Sequence, residues 1–437
     1  MLLTALSLSL RLGEKDLHTY LDDTLALVAE KEPNIQALLP EQNRRERLHQ
    51  TADELYAKYP EPDSRPPLFG VLFGVKDLFN VDGLPTQAGS KLPPEAFSGD
   101  EAEVVTQLKR LGAIVLGKTV STEFAYFSPG PTRNPVNLSH TPGGSSSGSA
   151  AAVAAGYCPF ALGTQTIASI IRPASYCGVY GFKPSYGLFS TKGVFPFSQT
   201  ADHVGFIADS LSTLSVLLGS LECLPIATRI PPEPRIGCVR GEYLGQTGEQ
   251  GRASYQDTIR KLTNRGFSIM ECDPFPDIEM INLSHRRMIA AEFYHNHRHL
   301  HARYGHLYSQ HSLDLYRIGQ EVSQNELNEL RKQTLELRIK LSNILELNAL
   351  TAFLTPSTTG PAPLGLQSTG SPLLSLPWTN AGLPSISIPC GFTADALPMG
   401  VQVVGAFRDD LVLLDLAAKL EEALDQPDSY SSIHTEG

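Results

Sequence analysis

The chain lacks the marks of several protein classes. Its six cysteines, Cys158, Cys177, Cys223, Cys238, Cys272 and Cys390, are scattered, with no C-x-x-C pair and no ligand spacing. That excludes a cysteine-built metal site and leaves reduced, buried thiols as the expectation. No uninterrupted apolar run reaches the roughly 18 residues a membrane span needs, so no membrane partner is expected. Basic residues are too few for a nucleic-acid surface: 35 Lys and Arg stand against 46 Asp and Glu, a net charge of -11, where phosphate binding wants the opposite sign. Internal repeats and low-complexity linkers are missing too. The apolar opening from Met1 to Leu10 has the hydropathy of a signal-peptide core. It carries no basic flank, however, and Arg11 and Glu14-Lys15-Asp16 follow where a small-residue cleavage site would stand. A first helix and a cytoplasmic protein are expected.

What is there is a chain of 437 residues, 41% hydrophobic and 19% charged, enough for a large core. Residues 14–60 are helical in period, with Leu17, Leu21, Leu25 and Val28 on one face, until Pro60, Pro62, Pro66 and Pro67 break the pattern. Phe69 to Leu78 reads as a buried strand, Glu101 to Leu111 as a helix, and Ala113 to Leu116 as a second strand. Residues 145–156 read as a helix of small side chains, and Phe160-Ala161-Leu162 as a strand. Ser385 to Ile388 and Val401 to Val404 are strand-like. A last helix starts at Asp409, with Leu411, Leu414, Ala418 and Leu420 available for packing, and a frayed tail follows Asp425. Residues 276–348 are polar and helical, a helical excursion holding seven of the twelve histidines. The alternation of helix and short apolar strand argues an α/β fold with a central sheet in one domain.

Three patterns mislead. Gly112 to Thr119 matches the P-loop formula, but its intervening residues are themselves an apolar strand and not a phosphate-cradling loop. Gly144-Ser145-Ser146-Ser147-Gly148 matches the nucleophile elbow, but residues 134–140 before it read as loop, and the only nearby acid–histidine pair, Asp202-His203, comes too early in the chain. His295, His297, His299 and His301 share helix faces at a four-residue spacing, yet no third ligand is defined, so a polar surface is expected and no metal.

One constellation survives. Serine is crowded into Thr141-Pro142-Gly143-Gly144-Ser145-Ser146-Ser147-Gly148-Ser149, ahead of an alanine-rich run. Ser169 follows in Gly163-Thr164-Gln165-Thr166-Ile167-Ala168-Ser169, and Lys76 lies upstream in Gly74-Val75-Lys76-Asp77. Amide hydrolysis needs a nucleophile, a base and oxyanion donors. Lysine serves as the base only when neutral, which demands burial. The apolar run before Lys76 suits that. The alternative role is an ion pair with a carboxylate.

These segments, with Gly181-Phe182-Lys183-Pro184-Ser185-Tyr186-Gly187, closely resemble the amidase signature family from about residue 10 to 424. The resemblance implies one large domain over residues 1–437, with a mostly mixed β-sheet flanked by helices on both faces. It implies Ser169 as nucleophile, Ser145 after a cis peptide as proton relay, and Lys76 as base. The backbone N–H groups of Thr166, Ile167, Ala168 and Ser169 would form the oxyanion hole. Ser146, Thr164, Gln165 and Arg172 would support the site, Lys183 would be structural, and no cofactor would be needed. Tyr126, Phe127, Tyr294 and Trp378 are candidate pocket residues, each equally readable as core.

The chain departs from the commonest family loop, T-D-T-G-G-S-I-R. Gln165 replaces the acid, and Ile167-Ala168 replace two glycines, as a T-Q-T branch does in part. A Cβ at a position needing positive φ would strain the loop. Three functions follow: an amidase on a small carboxamide or ureido substrate, a glutamine-hydrolysing amidotransferase subunit in a tRNA-dependent complex, and a catalytically impaired binding protein. The partner expected is a small-molecule amide, with homo-oligomerisation left open.

Overall fold

The computed structural model describes residues 3–221 and 230–424. Ten strands form one sheet: β1 (Leu72–Lys76), β2 (Ile114–Thr119), β3 (Phe160–Gln165), β4 (Tyr180–Lys183), β5 (His203–Ala208), β6 (Arg235–Val239), β7 (Ser268–Cys272), β8 (Ala352–Pro356), β9 (Ser385–Phe392) and β10 (Pro398–Gly405). Their order is β2-β1-β3-β5-β4-β9-β10-β8-β6-β7. β1 is parallel to β2 and β3, and β6 is parallel to β7 and β8. The pairings between these two groups are antiparallel, which gives the mixed sheet expected.

The helices are α1 (Leu3–Leu12), α2 (Leu17–Ile35), α3 (Arg44–Lys58), α4 (Glu103–Arg110), α5 (Ser147–Ala154), α6 (Ile171–Cys177) and α7 (Leu211–Ser220), then α8 (Glu242–Gly245), α9 (Glu249–Asn264), α10 (Ile278–Tyr304), α11 (Gln310–Gln320), α12 (Gln324–Leu347), α13 (Leu376–Asn380) and α14 (Asp410–Leu424). None of the described helices is long and apolar enough to cross a membrane. In α1, Leu3, Leu6 and Leu10 are buried. The helical stretch read over 14–60 is two helices. Asp16 caps α2 by accepting from Thr19 N at 2.8 Å. The chain turns at Gln36, whose φ is 55°, and Leu38 then bridges to Thr119 at the sheet edge. The P-loop match is strand β2, as its apolar filling required, and Lys118 within it pairs with Asp77 at 3.0 Å.

Two packing expectations need correction. In α14 the buried face is Leu413, Leu414, Leu416, Ala417, Leu420 and Leu424, while Ala418 is exposed and Leu411 half-buried. The helix packs on β9 and β10 and also against α7 and α9, so it covers a broader face than one stripe. The tail after Asp425 and Cys223 lie outside the described residues. The histidine row is not all surface either. His297 is wholly buried, its ring 3.7 Å from Phe293 and 4.7 Å from Phe124, with Nδ1 3.0 Å from the Tyr308 hydroxyl. α10 lies under α11 on that side, and helical spacing alone does not reveal the covering element.

The sheet positions the site through β1 and β3. They are parallel neighbours, so their carboxyl ends open at one edge, where α/β sheets place ligands. The small-residue helix α5 packs against both. Gly148 at its start allows this, because a Cβ there would come 2.2 Å from Ala37 O and 2.3 Å from Val120 N.

Burial lowers the His297 imidazole to about 3. Below pH 6.5 the unfolded chain therefore takes up a proton that the native state refuses, and stability falls with pH. Urea titrations of wild type and His297→Phe should diverge in slope between pH 6.5 and 4, with wild type losing about 1.4 kcal/mol per pH unit more than the variant. Parallel curves would show that His297 is not held neutral.

Candidate active site

Lys76 ends β1 with no exposed surface. Val75 is level with Leu162 of β3, so the amine comes level with the end of that strand. Nζ lies 2.7 Å from Thr164 Oγ1, 3.4 Å from Thr164 O and 2.7 Å from Ser145 Oγ. Burial holds the amine well below the ordinary lysine range; Asp202 opposes the shift and Arg172 adds to it. An ammonium would donate to all three oxygens. A neutral amine would donate two N–H groups and accept the Ser145 O–H. Either protonation state suits the same heavy-atom positions. The ion-pair alternative falls to Lys118, which takes Asp77.

The Gly144–Ser145 peptide is cis. Its carbonyl, Gly144 O, accepts from Arg172 Nη2 at 2.7 Å and Nε at 3.2 Å, while Arg172 Nη1 donates to Gly370 O at 2.5 Å. Ser145 O accepts from Thr122 N at 3.2 Å. The turn before it uses Gly143 at φ 81°, a conformation that favours glycine. Ser147 Oγ closes the turn on Gly143 O at 2.8 Å, and Ser146 Oγ donates to Thr164 O at 3.3 Å.

Ser169 follows β3 in the loop 166–170. Ser146 N donates to Ser169 O at 3.3 Å, which brings the two serine segments together. The Ser169 hydroxyl makes no hydrogen bond among the described residues, so the hydrogen-bonded link runs from Lys76 to Ser145 and does not continue to Ser169. All four loop carbonyls are tied back. Thr166 O accepts from His285 Nε2 at 3.0 Å, Ile167 O from Thr379 Oγ1 at 2.7 Å, Ala168 O from Arg172 N at 2.9 Å, and Ser169 O from Ser146 N. No protein acceptor among the described residues engages the N–H groups of 166–169. In a planar trans peptide, N–H points away from the carbonyl before it. Ile167 and Ala168 both keep negative φ, so the strain that a Cβ would bring is not incurred. Gln165 stiffens the loop: Oε1 accepts from Ile170 N and Ile171 N at 2.8 and 3.0 Å, and Nε2 donates to Thr379 Oγ1 at 2.9 Å.

Asp202, His285 and Thr379 touch this loop, and no motif marked them for it. Asp202 accepts from Thr166 Oγ1 at 2.6 Å and from Phe197 N and Ser198 N. Burial pushes its carboxyl up to about 6 against those bonds. With Thr164 and Thr166 it lines a cavity of about 10 Å³, room for one water. A separate groove of about 720 Å³ runs between α2 and the loops at 87–90, 120–121 and 130–131; Asp77 reaches it, and Lys76, Ser145 and Ser169 do not.

The pocket candidates divide. Tyr126 and Phe127 lie together, ring centroids 4.5 Å apart, directly after Ala125, which lines the small cavity. Tyr294 sits in the α10–α11 seam, 4.9 Å from Tyr316. Trp378 is core: it is fully buried, its Nε1 donates to the Tyr243 hydroxyl at 2.9 Å, and Phe275 packs 4.7 Å away. Its neighbour Thr379, not its own ring, reaches the loop. Lys183 is buried with Nζ donating to Leu383 O, and burial lowers it to about 7.

Known proteins share this architecture. The Amidase family profile matches residues 28–414. A glutamyl-tRNA(Gln) amidotransferase subunit of Prochlorococcus marinus strain MIT 9303 is 32% identical over 475 residues, covering 95% of each chain. Its counterpart in Bacillus thuringiensis strain Al Hakam is 30% identical over 474, covering 94% of this chain and 95% of its own. A solved amidase superimposes with a TM-score of 0.87 at 29% identity, over 97% of this chain and 99% of that one. A chain of a vestigial protein complex, one that reveals the evolutionary origins of an s-triazine catabolic enzyme, gives 0.84 at 27% with the same coverage. With its ten-stranded mixed sheet and a match over nearly its whole length, this chain belongs to the amidase signature family of hydrolases acting on carbon–nitrogen bonds.

Proposed function

We propose that the chain hydrolyses the C–N bond of a small carboxamide or ureido substrate through an acyl-enzyme on Ser169. The observation that carries this reading is the buried Lys76 amine, 2.7 Å from the Ser145 hydroxyl. In the proposed cycle neutral Lys76 draws the Ser145 proton while Ser145 takes the proton of Ser169, which attacks the carbonyl. Charge on the carbonyl oxygen meets the unengaged N–H groups of 166–169; one such donor is typically worth ~2.7–4 kcal/mol. The relay then returns a proton to the leaving nitrogen, and water repeats the sequence on the ester. The unstrained backbone at Ile167 and Ala168 supports activity over impairment.

A second reading has one specific observation behind it: identity of 30–32% to amidotransferase subunits over nearly the whole chain. In that case glutamine is the amide, and a partner would contact the tRNA, since this chain carries a net charge of -11.

An ammonia-release screen over acetamide-type, ureido and aryl carboxamides and glutamine separates these. The first reading expects turnover of at least one amide, reduced at least ~10³-fold by Ser169→Ala. Release from glutamine alone, and only with a tRNA-binding partner present, moves the assignment to the second. Unchanged turnover in Ser169→Ala overturns both, as does failure of every amide together with no fluorophosphonate labelling of Ser169.

Lys76→Met should abolish turnover while stabilising the fold. The native amine titrates below its unfolded value of 10.5, so between those two pH values only the unfolded chain holds the proton, and wild-type stability rises with pH by up to about 1.4 kcal/mol per unit. Denaturation of the Met variant should lack that rise. Wild-type stability with no rise over the same pH range relative to the Met variant would mean the amine is charged in the native state.

A further inference from the structure

We propose that His285 is a positioning residue for the reaction, aiming the Ile167 N–H at the substrate oxyanion. It rests on the reading of Ser169 as nucleophile. The Thr166 carbonyl and the Ile167 N–H belong to one planar trans peptide and point opposite ways. His285 Nε2 donates to that carbonyl at 3.0 Å, so the ring fixes the direction of the N–H on the far side. A carbonyl only accepts, which sets the proton on Nε2 and leaves Nδ1 an acceptor. His285 Nδ1 and Asn380 Oδ1 are both buried without a hydrogen-bond partner among the described residues. Burial lowers the imidazole to about 4, which keeps it neutral at working pH.

Of the other three peptide planes, Thr379 of α13 holds the one with Ala168 N–H, Arg172 N of α6 the one with Ser169 N–H, and His203 Nδ1 lies 3.2 Å from Gln165 O in the one with Thr166 N–H. The plane ahead of Ile167 is held instead from α10, in the helical excursion. That helix makes a second attachment. Glu292, two turns beyond His285, accepts from Ser198 Oγ at 2.5 Å and from Thr200 N at 2.9 Å. The loop it grips carries Asp202, which holds Thr166 Oγ1. Thr166 is therefore anchored at both carbonyl and hydroxyl through the docking of one helix. Seating of α10 and readiness of the oxyanion donors are one event.

The test is the rate of fluorophosphonate labelling of Ser169, which needs the same donors and no knowledge of the substrate, beside kcat and KM on whichever amide is turned over. His285→Ala should slow labelling and kcat by roughly 30-fold with KM within about twofold, since aiming one donor is worth less than the 10²–10³-fold of removing it. His285→Gln, which keeps an N–H donor near Nε2, should recover most of the loss. A folded His285→Ala protein labelling at the wild-type rate overturns the proposal. Should Ala prevent folding, a folded Gln variant slowed 30-fold or more also overturns it, and one within about fivefold of wild type supports it. Ser169→Ala is the control: labelling that persists in it refutes the nucleophile assignment itself, whereas its loss alongside a normal His285→Ala refutes only the role of His285.

Discussion

The removal of one amine from water governs this molecule. Among the described residues, Lys76 Nζ is met only by Ser145 Oγ, Thr164 Oγ1 and a weaker contact to Thr164 O. Burying a lysine costs stability unless it gives up its proton. The chain accepts that cost at a point where the amine faces a hydroxyl. Asp202 is the carboxylate that opposes the shift, and it acts while engaged by Thr166 and two backbone N–H groups. Lys118, one strand over, shows the contrasting solution. It is almost equally buried, but it pairs with Asp77 at 3.0 Å and serves structure.

Around that amine the backbone is arranged by its carbonyls. Each carbonyl from 166 to 169 is bound by a different donor, and peptide planarity converts those bonds into directions for the N–H groups opposite. This explains how the loop tolerates Ile167 and Ala168. Glycine would matter if a residue there adopted positive φ, and neither does. Gln165, standing where the commoner pattern has an acid, uses both ends of its carboxamide to join the loop to Thr379 and to the start of α6.

Much of this was legible in the chain itself, for local reasons. Alternation and period gave the strands around Lys76 and Ser385, the helix of small residues after Ser146, and the strandless stretch from 276 to 348. Hydroxyl crowding beside a lysine that follows an apolar run marked three residues for one chemistry. Trp378 and His297 were harder to read. An aromatic ring or an imidazole has the same local sequence signature whether it lines a pocket or fills a core, and only the element packed over it decides. Here Phe275 and Tyr243 close over Trp378, and Phe293 and Tyr308 over His297.

The sequence by itself determined which atoms are available: a lysine after a strand-forming run, two serine loops built from residues small enough for backbone to approach backbone, and a polar helical excursion. Tertiary structure decided where those atoms point. Parallel pairing of β1 and β3 set the lysine beside Thr164, the packing of the first serine loop brought Ser145 to it, and the docking of α10 carried His285 from 119 positions away onto the Thr166 carbonyl. Contacts of that kind leave no period and no motif, because the two partners share nothing along the chain; they exist only once burial has excluded water from between them.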